Sequence, residues 1–136
     1  AEIAAHGLDG VVEAPGFVAT EEVHAAQRAA LCLLQPSSRE GYGLVVVEAA
    51  AHGTPVIVVA GEDNASVELV EPGVNGLIAP SADADVLADA LIAVADAGLP
   101  LRERTCAWFA ENARRLSLEA SLDAVSASYG APSARA

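Results

Sequence analysis

The chain has 136 residues, a length that fits one domain of roughly 100–200 residues, and its 53% apolar content and mean hydropathy of +0.38 allow a substantial core and exclude a disordered segment. Seven basic residues against 19 acidic ones give a formal net charge of −12. That sign argues against nucleic-acid binding, which rests on Lys and Arg displacing counterions, and against docking on an anionic lipid surface; the charge serves solubility.

Residues 1–7 read as the tail of a helix closed by Gly7. Val11 to Val18 is rich in β-formers and predicts a strand, kinked or at an edge because of Pro15-Gly16. Thr20 is the predicted N-cap of a helix to about Ala29, with Glu21 and Glu22 in the first turn, where the dipole favours anions. Leu31-Cys32-Leu33-Leu34 predicts a strand buried on both faces, and Gln35-Pro36-Ser37-Ser38-Arg39 is loop chemistry at its end. From Leu44 to His52, Val45-Val46-Val47 favours strand, but Ala49-Ala50-Ala51 and the Gly53 stop favour helix, and helix is the reading adopted.

Pro55 to Val59 predicts the next buried strand, and Asn64 caps a short helix through Val70 before the turn Glu71-Pro72-Gly73. Gly76 to Ala79 predicts another strand. A helix then starts at Ser81 or Asp83 and runs to about Ala95, with Val86, Leu87, Ala90, Leu91 and Val94 on one face. Two further helices are predicted at about 100–115, with Trp108 as a packing anchor, and 118–129, with a Leu122-Val125-Tyr129 stripe; residues 131–136 are expected to fray. Short apolar strands alternating with helices imply βαβ units, hence an α/β fold with a Rossmann-like parallel sheet flanked by helices and extra C-terminal helices.

Cys32 and Cys106 are far apart and read as buried, reduced thiols rather than a disulfide or metal pair. No apolar run approaches the roughly 18 residues of a transmembrane segment. The start, Ala1-Glu2-Ile3-Ala4-Ala5-His6, lacks the features of a signal peptide. A soluble, cytoplasmic protein is the expectation.

The chemistry concentrates between Glu40 and Glu48. In open parallel sheets ligands sit beyond the carboxyl ends of the strands, and the 31–34 strand points at Ser37–Leu44. Gly41 and Gly43 let backbone amides approach a ligand, and a helix starting at about Leu44 offers unpaired N–H groups and its dipole to a phosphate. Glu40 then sits in the loop near a sugar, and Glu48, one turn into the helix, can accept from vicinal hydroxyls such as those of a ribose. From spacing alone, a solvated loop residue at Glu40 and a helix-edge residue at Glu48 is the favoured reading over a ligand site. His6, His24 and His52 share no triad or metal spacing. His52 reads as a helix-C-terminal histidine stabilised by the dipole, with contact to the pocket as the alternative. Glu62 and Asp63 beside Asn64 read as a solvated loop, and Gly41-x-Gly43 lacks the third glycine of a dinucleotide fingerprint.

Residues 16–80 resemble the C-terminal, nucleotide-sugar-binding half of GT-B fold retaining glycosyltransferases, the large family that includes sucrose synthases and bacterial mannosyltransferases. The resemblance runs from Gly16-Phe17-Val18 and Gln35-Pro36-Ser37 to Glu40-Gly41-Tyr42-Gly43-Leu44 and Glu48-Ala49-Ala50-Ala51. It continues through Gly53-Thr54-Pro55-Val56-Ile57 and Glu68-Leu69-Val70-Glu71-Pro72-Gly73-Val74-Asn75-Gly76-Leu77. It implies that Glu40 lies at the donor sugar as nucleophile or electrostatic stabiliser, that Glu48 holds the nucleotide ribose, and that Gly41 and the amides of Tyr42, Gly43, Leu44 and Val45 meet sugar hydroxyls and diphosphate. It implies a nucleotide-diphosphate sugar as substrate with no metal or other cofactor.

The sequence departs from the family at Asn64-Ala65-Ser66-Val67-Glu68, where a Gly-Gly-x-Pro-Glu stretch is usual and only Glu68 is kept. The family's basic phosphate clamp has no counterpart, Arg39 being the sole basic residue near the site. Residues 1–130 therefore read as a partial GT-B C-terminal domain lacking its first elements, inactive by itself and in need of an N-terminal acceptor-binding half. A sugar-nucleotide epimerase of the same fold and a non-catalytic binding module are the alternatives.

Overall fold

The computed structural model describes residues 2–130. A short helix α1 (Glu2–Ala5) and α2 (Thr20–Ala29) precede β1 (Leu33–Gln35), β2 (Arg39–Glu40), α3 (Leu44–Ala51), β3 (Val56–Val59) and β4 (Asp63–Asn64). A 3₁₀ turn (Ala65–Leu69), β5 (Gly76–Ala79), α4 (Ala84–Asn112) and α5 (Leu118–Gly130) complete it. The sheet has the order β1-β3-β5, all parallel, with Leu34 opposite Ile57 and Ile57 opposite Leu77. This is the predicted parallel α/β layer.

β3 is the centre because every one of its side chains is buried. Its pleat sends Val56 and Val58 into one cluster with Val46 and Ala49 of α3, while Ile57 and Val59 join Val94 and Leu101 of α4. A continuous apolar run is what a strand covered on both faces requires. α4 covers both helices predicted around it: Gly98 breaks it at φ 53° and ψ −144°, two residues ahead of Pro100. Trp108 is buried and donates Nε1–H to Glu71 Oε1 at 3.0 Å, which fastens the turn before β5 to α4. Arg102 caps the other side of the layer, donating to Ala30 O at 2.6 Å and Arg28 O at 2.9 Å at the C-terminus of α2, where the helix dipole favours a cation.

Four expectations change. Residues 11–18 form no strand and are exposed throughout: Pro15 has no N–H to give a ladder, and Gly16 turns the chain at φ 75°. Thr20 is the first helical residue of α2 rather than its N-cap, which is Ala19. β1 lies nearer the site than predicted, ending on Gln35. Cys32 is half-buried, and burial pushes its thiol pKa up, but Cys106 is exposed on α4; both are free. The expected frayed tail, 131–136, lies outside the described residues.

Candidate functional site

β1 and β3 end side by side, with Gln35 opposite Val58. Past these carboxyl ends the chain forms β2 and β4, which pair in parallel with Arg39 opposite Asp63 and Glu40 opposite Asn64. Asn64 holds the two loops together. Its buried Nδ2 donates to Ser37 O at 3.0 Å and Val59 O at 2.7 Å, and its Oδ1 accepts from the N–H of Ser66 at 3.1 Å and its hydroxyl at 2.5 Å. The second of these loops passes so close to the first that a Cβ on Gly61 would lie 2.5 Å from Ser38 O. Between them is a cleft of about 470 Å³ whose lining includes Glu40, Gly41, Glu62, Asp63 and Glu68. It is an acidic cleft. The exposed guanidinium of Arg39 pairs with Asp63 at 3.2 Å, a solvent-screened contact of little energetic weight.

Glu40 is half-buried and held through both oxygens: Oε2 accepts from Gln35 Nε2 at 2.8 Å, and Oε1 accepts from the N–H of Gly41 at 3.1 Å. Two residues on, Gly43 caps α3 in the left-handed region (φ 83°, ψ 45°), and a Cβ there would meet Ser66 Cβ at 2.6 Å. Gly43 accepts from the N–H of Val46 at 2.9 Å and so closes the first turn. Among the described residues nothing accepts from the N–H groups of Tyr42, Gly43, Leu44 or Val45, the last three being orphan donors of the helix start. Tyr42 and Leu44 are exposed and Val45 is half-buried. Donors without a protein acceptor at a helix N-terminus, close in sequence to a fixed carboxylate, suit an anionic group beside a polyhydroxylated one.

The structure thus places Glu40 and Gly41 in the cleft lining, whereas Tyr42, Gly43, Leu44 and Val45 follow them in the chain at the start of α3 and do not line it. Glu48 is exposed on the second turn of α3 and does not line the cleft. Sequence reasoning gave Gln35 no role at Glu40 and Glu62 none in the cleft. For Gln35 the available signal was an amide closing a buried apolar run. Among the described residues no group of three or more His, Cys, Asp or Glu has metal-binding geometry.

His52 caps the C-terminus of α3, with its ring centroid 5.0 Å from that of His24 and outside the lining of the cleft. His52 therefore sits at the helix C-terminus, as expected, but the net shift runs against the charged ring. Desolvation, then Arg28 and His24, push its pKa below the ordinary value, and Glu48 opposes them only in part. The folded state therefore favours the neutral ring. Its contribution to stability is present above the unfolded pKa of about 6.5 and is lost as pH falls through the lower folded value. Thermal unfolding followed from pH 7.5 to 5 is expected to show a falling Tm, with a shallower slope in His52→Gln; equal slopes would remove His52 as the cause.

A parallel sheet flanked by helices is the layer found in GT-B glycosyltransferases. Anabaena HepE, solved in complex with UDP-glucose, superposes with a TM-score of 0.79 at 23% identity, over 94% of this chain and 34% of that one. The family model for glycosyl transferases group 1 matches residues 1–116, and the chain belongs to that family. Its relatives include a D-inositol 3-phosphate glycosyltransferase of Kribbella flavida, 44% identical over 68 residues (50% of this chain and 16% of that protein). A phosphatidyl-myo-inositol mannosyltransferase of Mycobacterium leprae is 41% identical over 92 residues, 67% of this chain and 24% of that protein. The chain thus spans a quarter or less of the length of these relatives. Among the described residues no helix is long and apolar enough to cross a membrane.

Proposed function

We propose that this chain is the donor-binding part of a retaining glycosyltransferase that moves a hexosyl group from a nucleotide-diphosphate sugar to an acceptor. One observation carries the reading: a carboxylate fixed through both oxygens lines the strand-end cleft, four residues before a helix whose first N–H groups, those of Leu44 and Val45, have no acceptor among the described residues. Glu40 faces the donor sugar, and the amides of Tyr42 to Val45 take the diphosphate. Glu48, on the same helix, accepts from the ribose. Membership of the group 1 family and the HepE fold support this assignment.

The diphosphate meets backbone dipoles here rather than a metal, and the reading assigns no cofactor. The acidic cleft repels phosphate, so a basic clamp and an acceptor-binding half come from the rest of a longer enzyme, and this part alone is inactive. Such an enzyme works in the cytoplasm, where nucleotide sugars are available. Turnover of UDP-, GDP- or ADP-hexoses by that longer enzyme tests the reading. Glu48→Gln is expected to raise the donor KM about tenfold, with a smaller change in kcat, as loss of one charge-assisted hydrogen-bond acceptor does. An unchanged KM would remove Glu48 from the site.

A further inference from the structure

We infer that Gln35 is the positioning residue for Glu40, holding its carboxylate in the orientation that the transfer needs. The inference rests on the reading that Glu40 works at the donor sugar. Gln35 closes β1 and is only 9% exposed; its backbone is fixed by the register with Val58. Its Nε2 donates to Glu40 Oε2 at 2.8 Å, while its own Oε1 is buried with no hydrogen-bond partner among the described residues. An ionised carboxylate only accepts, so the amide must present its nitrogen to Glu40, and its oxygen is then left facing protein.

A buried polar atom without a partner destabilises the fold. Leucine, about a methylene larger and branched, would place no unpaired polar atom in the site. Glutamine here carries a cost that leucine would not, and what it gives in return is one hydrogen bond to the carboxylate at the cleft. The bond from Gly41 N–H secures only one oxygen and comes from the adjacent residue. The Gln35 bond secures the other and comes from the sheet. Together they fix the carboxylate plane, and the rigidity of β1 reaches a residue that itself sits on a two-residue strand. Gln35 does not line the cleft, so it acts through Glu40 and not on the substrate.

The test compares Gln35→Leu and Gln35→Glu with the unaltered longer enzyme in kcat, donor KM and thermal unfolding. In Gln35→Leu, kcat is expected to fall about 10- to 100-fold, the cost of a misplaced catalytic group, with KM unchanged within about twofold. Its Tm is expected to stay close to that of the unaltered protein, the lost unpaired oxygen offsetting the extra methylene. Gln35→Glu keeps the shape but sets an acceptor against Glu40, and its kcat should fall at least as far. A lower Tm with full kcat in Gln35→Leu, or full kcat in Gln35→Glu, overturns the inference. Glu40→Gln measured alongside separates the two layers. If Glu40→Gln loses turnover and Gln35→Leu keeps it, only the positioning role fails. If Glu40→Gln keeps turnover, the donor-site reading fails and takes this inference with it.

Discussion

Gly43→Ala is expected to lower stability by about 2–5 kcal/mol, a sum of about 1–2 kcal/mol for a left-handed backbone carrying a Cβ and about 1–3 kcal/mol for forcing a methyl into a packed site. The two costs arise independently, from φ of 83° and from the 2.6 Å approach to Ser66 Cβ. Ser66 cannot retreat, because it is fully buried and bound twice to Asn64, which also anchors both loops. The strain therefore spreads into the β2–β4 pair and the cleft. Thermal unfolding should show Tm lower by about 10 °C for a chain of this size. Gly41→Ala is the control: its φ is not positive and a Cβ there meets nothing within 4 Å, so Tm should barely move. Equal Tm values for the Gly43 variant and the unaltered chain would contradict the packing described for the start of α3.

The sequence made the central layer legible because local signals and burial agree there. Val56–Val59 is apolar and β-branched on both faces, and the structure covers both. α3 was harder. Three consecutive valines favour a strand, but the helix is selected by the glycine at its start, the alanines behind and the packing of Val46 and Ala49 on β3. Residues 11–18 show the reverse case. Their composition is that of a strand, but strand propensity expresses itself only against a partner, and among the described residues they pair with none. β2 and β4 left no trace in the sequence, since two residues carry no periodicity and their pairing comes from Asn64 bridging two loops 27 residues apart.

At the site, Glu40 and the Gly41–Gly43 turn were legible because their chemistry is local. Glu62 was not, because its place in the cleft is set by that tertiary bridge. Glu68, the one residue of the usual Gly-Gly-x-Pro-Glu stretch that is kept, does reach the cleft lining although the loop before it has a different sequence.

Glu40→Gln in the longer enzyme is expected to lower kcat by about 10²- to 10³-fold, the usual consequence of removing a preorganised electrostatic partner from a developing charge. The structure makes this substitution a test of charge rather than shape. Glutamine at position 40 has one oxygen, which can keep the bond from Gly41 N–H. Its amide nitrogen then faces Gln35, and two donors would oppose each other. A half-turn of the Gln35 carboxamide resolves the conflict by presenting the oxygen that has no partner in the unaltered protein. One orphaned atom is exchanged for another, so Tm should stay close to that of the unaltered protein while turnover collapses. Adding Gln35→Leu to Glu40→Gln should then cost little further activity, because a positioning residue has nothing left to position. Losses that multiply in the double variant would place Gln35 and Glu40 in separate roles, and wild-type turnover in Glu40→Gln would remove the carboxylate from the chemistry.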